Sequence, residues 1–263
     1  MHRVQDFQVD GGLDELARLG WLRVHGTFAA PEDAWQCATE LVPANEPDAP
    51  IEVIGDFVVP PPEGAPSRDF QTLHFDFGVP IVPVAPADVA RFTALHVPLA
   101  AAWSAEAITR LVPLRPLLDS RRWPDHDELV RRLTAYGDSH GAWTLGAGYT
   151  EGSFARIIEA ALGQELVLPS VRADPGFLCG TEFLSLADET LFFAQRGLPI
   201  DAVAIEVRLQ PGELLLFDNV ALAHGRRGTR EPGELHQRVF GHRALHPQDQ
   251  IEFRDRFLAA FTG

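Results

Sequence analysis

The order in which strand-like and helical segments follow one another constrains this chain more than any other feature. Period-two, β-branched or aromatic segments come first: WLRVHG (21–26), IEVIGDFVV (51–59), DFQTLHFDFG (69–78) and ARFTALHVP (90–98). A helical middle follows over about 114–165, where DHDELVRRLTAYG and EGSFARIIEAALG carry apolar stripes at helical spacing and end near glycine. Strand-like segments then return: PGFLCGTEFLSL (175–186), ETLFFAQ (189–195), AVAIEVRL (202–209), ELLLFDNVALAHG (213–225) and LHQRVFGHRAL (235–245). Strands, then helices, then strands is not the βαβ alternation of a parallel sheet. The order predicts a mainly β, α+β chain: an antiparallel sandwich or barrel with inserted helices packed on one face.

Three further helices are expected, at GLDELARLG (12–20), at PEDAWQCATELV (31–42) with its proline at the start, and at the closing DQIEFRDRFLAAF (249–261). No repeat and no clear linker divides the sequence, so residues 1–263 are expected to form one domain with a helical insert at about 114–165. The stretch VVPPPEGAPSRD (58–69) reads as a long loop, either a plain connector or an active-site lid.

Charge narrows the partners. Acidic residues number 37 against 22 basic ones, giving a net charge of -15, and every basic residue is arginine. An acidic surface repels phosphate backbones, so nucleic acid is not an expected partner, and without lysine no Schiff base can form. The N-terminus lacks the apolar stretch of a secretion signal, and no run approaches the ~18 apolar residues of a membrane span. A soluble, cytoplasmic protein acting on a small molecule is expected, of no legible oligomeric state. The two cysteines, Cys37 and Cys179, are too few and too far apart for a disulfide framework and read as small buried apolar residues.

Against this background three residues stand out. LHFDFG sets His74 and Asp76 two apart in an expected strand, which turns both side chains to one face and Phe75 to the other. FDNVALAHGRRG supplies His224, 148 residues after Asp76 (224 − 76). Two histidines and one carboxylate that leave open positions are the facial triad of non-haem Fe(II) oxygenases. Arg238 lies 14 residues beyond His224, on the expected returning strand. Arginine's planar fork suits the far carboxylate of a metal-chelating co-substrate.

GELLLFDNVALAHGRRG followed by HQRVFGHRAL resembles the distal motif of the taurine dioxygenase and clavaminate synthase-like group of Fe(II)/2-oxoglutarate-dependent oxygenases. The resemblance covers roughly residues 70–115 and 175–246. It implies a double-stranded β-helix, or jelly roll, with flanking helices. It also implies Fe(II) held by His74, Asp76 and His224, 2-oxoglutarate as co-substrate and O2 as oxidant. In the resemblance Arg238 grips the distal carboxylate of 2-oxoglutarate, and Thr109 stands where the family has a second contact to it. The family often has glycines before that threonine, whereas this chain has Glu106, Ala107 and Ile108. The implied reaction couples conversion of 2-oxoglutarate to succinate and CO2 with attack on an unactivated C–H bond. Halogenases of this type replace the carboxylate ligand by a small residue, so Asp76 favours hydroxylation, desaturation or ring formation. The substrate class suggested is an amino acid or its derivative in specialised metabolism.

Two other classes stay open at this point. One is a cupin-like metalloenzyme using the triad without 2-oxoglutarate; the other is a non-catalytic jelly-roll binding protein. Among the remaining residues, Arg226 and Arg227 are either substrate-carboxylate ligands or solvated loop charges. Asp218 and Asn219 are expected to fix the turn before His224. His96, His236, His242, His126 and His140 read as structural or surface residues, and Trp103 and Phe75 as core.

Overall fold

The computed structural model describes residues 8–9, 16, 18–26, 28–42, 51–58, 70–75, 89–101, 103–113, 116–117, 127–129, 131–132, 135, 152–164, 183, 185–219, 221–229 and 235–242. Eleven strands occur among them: β1 (Gln8–Val9), β2 (Trp21–His25), β3 (Ile51–Val58), β4 (Phe70–Phe75), β5 (Val89–His96), β6 (Ile108–Pro113), β7 (Gly152–Ser153), β8 (Ile205–Val207), β9 (Leu214–Asp218), β10 (Leu222–Arg227) and β11 (His236–His242). Helices are α1 (Pro31–Leu41), α2 (Phe154–Leu162), α3 (Leu186–Gln195) and the single turn α4 (Ile200–Val203). The strands form a six-stranded sheet ordered β1-β2-β9-β5-β11-β3 and a five-stranded sheet ordered β7-β4-β10-β6-β8. Every pairing is antiparallel.

Alternation along β9 shows how the layers stack. Leu214 and Leu216 join Leu22, Val24, Phe92 and Ala94 in a cluster with Ala34, Trp35, Cys37, Ala38 and Leu41 of α1. Leu215 and Phe217 turn the other way, to meet Leu95 of β5 and Leu111, Leu222 and Val207 of the five-stranded sheet. The six-stranded sheet is therefore covered by α1 on one face and by the second sheet on the other. Beyond the five-stranded sheet lie α2 and α3. Phe75 meets Phe154 edge-on at 5.8 Å, and Phe154 stacks on Phe193 at 5.3 Å. Period-two burial thus sorts each strand's side chains between an inter-sheet core and a helix-covered face.

One expected strand is a helix. Residues 189–195 belong to α3, and the sequence carries the reason: Ser185 caps the N-terminus by accepting the Asp188 amide, with Asp188 and Glu189 in the first turn. Glu189, Phe192 and Phe193 are buried at helical spacing, and Gly197 follows the C-terminus with φ 73°. The aromatic pair that suggested a strand is the buried side of this helix. The segment 202–209 likewise starts as α4 and becomes strand only at Ile205. Within the expected insert, α2 is helical and β7 pairs with β4, and the described positions between 116 and 135 are helical. The strand at 175–182, the closing helix at 249–261 and the loop at 59–69 lie outside the described residues. So do Cys179, His126 and His140.

Glu213 explains an acidic residue at the head of the GELLLFDN stretch. Buried just before β9, it receives Arg23 through two nitrogens at 2.8–3.1 Å, His25 Nδ1 at 2.7 Å and the Gln210 amide at 2.7 Å. Cys37 sits in the α1 cluster, where burial pushes its thiol up to about 12 and leaves it unreactive at neutral pH. Among the described residues no helix is long and apolar enough to cross a membrane.

His96 is a core histidine, as expected. Its Nε2–H donates to the Phe28 carbonyl at 3.2 Å, and its ring meets Phe28 and Trp35 edge-on. Burial, its largest perturbation, lowers its pKa from 6.5 to about 4. The unfolded chain therefore binds this proton at a higher pH than the fold does. Stability should fall as pH drops from about 6.5 to about 4, by up to about 3 kcal/mol from this residue. Urea unfolding at the two pH values should show that difference in the wild type and lose it in His96→Gln, whose amide stays neutral. An unchanged pH difference would place the titration elsewhere.

Candidate functional site

β10 lies between β4 and β6, and this arrangement assembles the site. In register, His224 faces His74 across one side and Leu111 across the other, while Arg226 faces Thr109. Leu111 and Leu222 belong to the inter-sheet core, so residues in phase with them (Thr109, His224 and Arg226) share that face. His74 and His224 are both buried, with ring centroids 4.2 Å apart and planes tilted by 49°. Phe217 closes the far side of His224 at 4.8 Å.

Tautomer and spacing fit a metal. His74 Nδ1 stands 2.8 Å from the Thr72 carbonyl, which can only accept, so the proton sits on Nδ1 and the Nε2 lone pair faces the Gln71 side-chain amide at 3.5 Å, a long contact that a metal would replace. With metal–nitrogen bonds of roughly 2.1 Å, ring centres lie roughly 3.2 Å from the ion, and two rings at right angles about 4.5 Å apart. The observed 4.2 Å matches two imidazoles taking adjacent positions on one ion. Asp76, the third expected ligand, lies outside the described residues. Among the described residues no group of three or more metal-ligating side chains gathers. The structure thus brings together two legs of the expected triad.

The approach of β10 to β4 depends on a glycine and a bulge. His74 pairs with His224 but Gln71 with Arg226, so β4 spends one more residue than β10 across this stretch. A Cβ on Gly225 would stand 2.7 Å from the Gln71 carbonyl oxygen and 3.1 Å from that of Thr72. Only glycine lets the two histidine strands meet this closely.

Behind the pair, on the helix-covered face, is a network that the sequence did not suggest. Arg110 and Glu189 are both fully buried, with Arg110 NH1 donating to Glu189 Oε2 at 2.8 Å. The other carboxylate oxygen accepts the Leu73 amide at 2.7 Å. Arg110 NH2 also reaches the exposed Asp201 at 3.2 Å. Burial is the largest influence on the Glu189 carboxyl and raises its pKa, with Arg110 opposing it. No local signal in the sequence announces this pair, whose members are 79 positions apart.

Arg238 lies on β11, the expected returning strand. In β11 it pairs with Ala94, a member of the α1 cluster, and its guanidinium carbon lies 5.8 Å from the centre of the Trp35 ring. That is the face of the six-stranded sheet opposite the histidines. β11's register explains it: His236, beside His96, is on the α1 face, and position 238 is in phase with it. Of the two arginines after His224, Arg227 pairs at the surface with Glu206 at 2.7 Å. Arg226 is half-buried on the His224 strand face, with NH1 donating to the Gly228 carbonyl. Asp218 accepts the Ala221 amide at 3.1 Å and closes the β9–β10 turn, as expected. Trp103 packs on the inter-sheet core and donates to the Leu209 carbonyl.

Neither a family model nor a curated protein sequence matches the chain. Solved structures do. PvcB, described as an Fe, alpha-ketoglutarate dependent oxygenase from an isonitrile synthetic pathway, is 15% identical with a TM-score of 0.45, over 92% of this chain and 80% of its own. A taurine dioxygenase from Burkholderia xenovorans is 12% identical with a TM-score of 0.39, over 87% of this chain and 82% of its own. The protein AAD-2, in complex with Mn(II) and N-oxalylglycine, is 12% identical with a TM-score of 0.44, over 94% of each chain.

Proposed function

We propose that the chain is an Fe(II)- and 2-oxoglutarate-dependent oxygenase that hydroxylates, desaturates or cyclises a small molecule, in the first place an amino acid or its derivative. The observation that carries the reading is the buried His74–His224 pair, at the separation of two adjacent imidazole ligands, with Asp76 two residues beyond His74. The strand order supports it as well. Renumbered from β3, the eight strands β3, β4, β5, β6, β8, β9, β10 and β11 run 6-3-8-1 in one sheet and 2-7-4-5 in the other. That is the order a double-stranded β-helix, a jelly roll of two Greek keys, would have, and it supports the reading.

Fe(II) with 2-oxoglutarate and O2 supplies an oxidant able to break an unactivated C–H bond. The chain's own residues do the rest. Thr72 fixes the His74 tautomer, the sheets exclude bulk water from the pair, and Thr109 offers a hydroxyl on the same strand face. The carboxylate ligand also needs a cation. The resemblance assigns Arg238, whereas the strand geometry favours Arg226, which shares the His224 face and stands opposite Thr109.

Anaerobic addition of Fe(II) and then 2-oxoglutarate should give a weak visible charge-transfer band that requires both. The arginine variants separate the assignments. Arg226→Ala should weaken 2-oxoglutarate binding at least about 10-fold, the scale of a lost charge-assisted hydrogen bond of about 1.5–3 kcal/mol. Arg238→Ala should lower thermal stability and leave that affinity unchanged. The reverse pattern would return the clamp to Arg238. Fe(II) binding with no band would favour the cupin-like metalloenzyme, and no Fe(II) binding a non-catalytic jelly-roll protein.

A further inference from the structure

We infer that Glu189 is a positioning residue for the metal site, holding His74 in place through its hydrogen bond to the Leu73 amide. The inference rests on the metal reading of His74 and His224. Three observations carry it. The carboxylate reaches two strands at once, β4 at Leu73 and β6 at Arg110, and these are the two neighbours of the His224 strand. One side chain from α3 therefore ties together, behind β10, the two strands that flank it.

The contact also falls at the irregular point of β4. Between Gln71 and His74 that strand carries one residue more than β10. Such a residue leaves the ladder, and its amide needs another acceptor. Glu189 supplies that acceptor at the residue directly preceding His74.

Finally, the device is costly. A fully buried ion pair is seldom more stable than apolar side chains of the same volume, because both charges leave water. A carboxylate kept here serves geometry better than it serves stability. Groups that orient metal ligands from behind act in this way, and their loss weakens metal affinity by about 10- to 100-fold.

The test uses Co(II) binding to the full chain, followed by its visible ligand-field bands. Glu189→Leu, which takes away the acceptor of the Leu73 amide, should stay folded by circular dichroism, bind Co(II) about 10- to 100-fold more weakly and show altered bands. Glu213→Leu makes the same change at a buried carboxylate beside the other sheet; it should lose stability while its folded form keeps the wild-type Co(II) affinity and spectrum. If Glu189→Leu does not fold, Arg110→Met/Glu189→Leu is measured in its place. It removes the bridge without stranding a charge, and the same weakening is expected. Wild-type Co(II) affinity in a folded Glu189 variant would overturn the positioning role alone. Failure of the wild type to bind Co(II) would overturn the metal reading and this inference with it.

Discussion

Replacing His224 by alanine is expected to abolish the stabilisation that a divalent metal gives this protein. A ligand that binds only the native state adds about 2.7 kcal/mol at a free concentration 100 times its Kd. For a chain of this size each kcal/mol moves Tm by about 2–4 °C, so Mn(II) should raise the wild-type Tm by about 5–10 °C. His224→Ala removes one of two buried imidazoles whose rings stand 4.2 Å apart, and no other described histidine shares their face at that distance. Its shift should fall to zero. The substitution also leaves a space beside Phe217, so the metal-free Tm will drop on its own account. The quantity that decides is the difference with and without Mn(II), and His224→Gln, which fills the space, should show the same loss. A full metal shift in either variant would mean that the histidine pair is not the metal site.

Much of this site is legible in the sequence because strands repeat every two residues. Period alone assigns His74 to one face and Phe75 to the other, and β4 has His74 turned to the inter-sheet core and Phe75 to the helices, while Asp76 lies outside the described residues. A barrel can bring a strand near residue 75 beside one near residue 224, and β4 and β10 are paired in this way. Arg238 is a residue whose face the period alone does not decide. Parity places a residue on one of two faces, but which face looks inward depends on register with β5. That register is fixed by contacts such as His236 with His96, which lie far apart in sequence. Residues 189–195 show a second limit. Their aromatic density suits a strand, yet the Ser185 cap and the Glu189, Phe192, Phe193 spacing decide for a helix once there is a sheet face for it to cover.

Arg110→Met alone is expected to remove a large part of the protein's stability. Arg110 and Glu189 are both fully buried, and their contact is 2.8 Å. Taking away the guanidinium leaves the fully buried carboxylate with the Leu73 amide as its donor. Breaking a buried pair from one side costs about 3–5 kcal/mol, against the about 5–15 kcal/mol that holds a domain together. Adding Glu189→Gln should restore most of the loss. The amide carries no charge, its oxygen can still accept the Leu73 amide, and methionine fills the volume of the arginine stem. Urea midpoints for the single and double variants measure the two terms. A single variant within about 1 kcal/mol of the wild type would show that the carboxylate finds water or another cation, and that the pair is not sealed between sheet and helix.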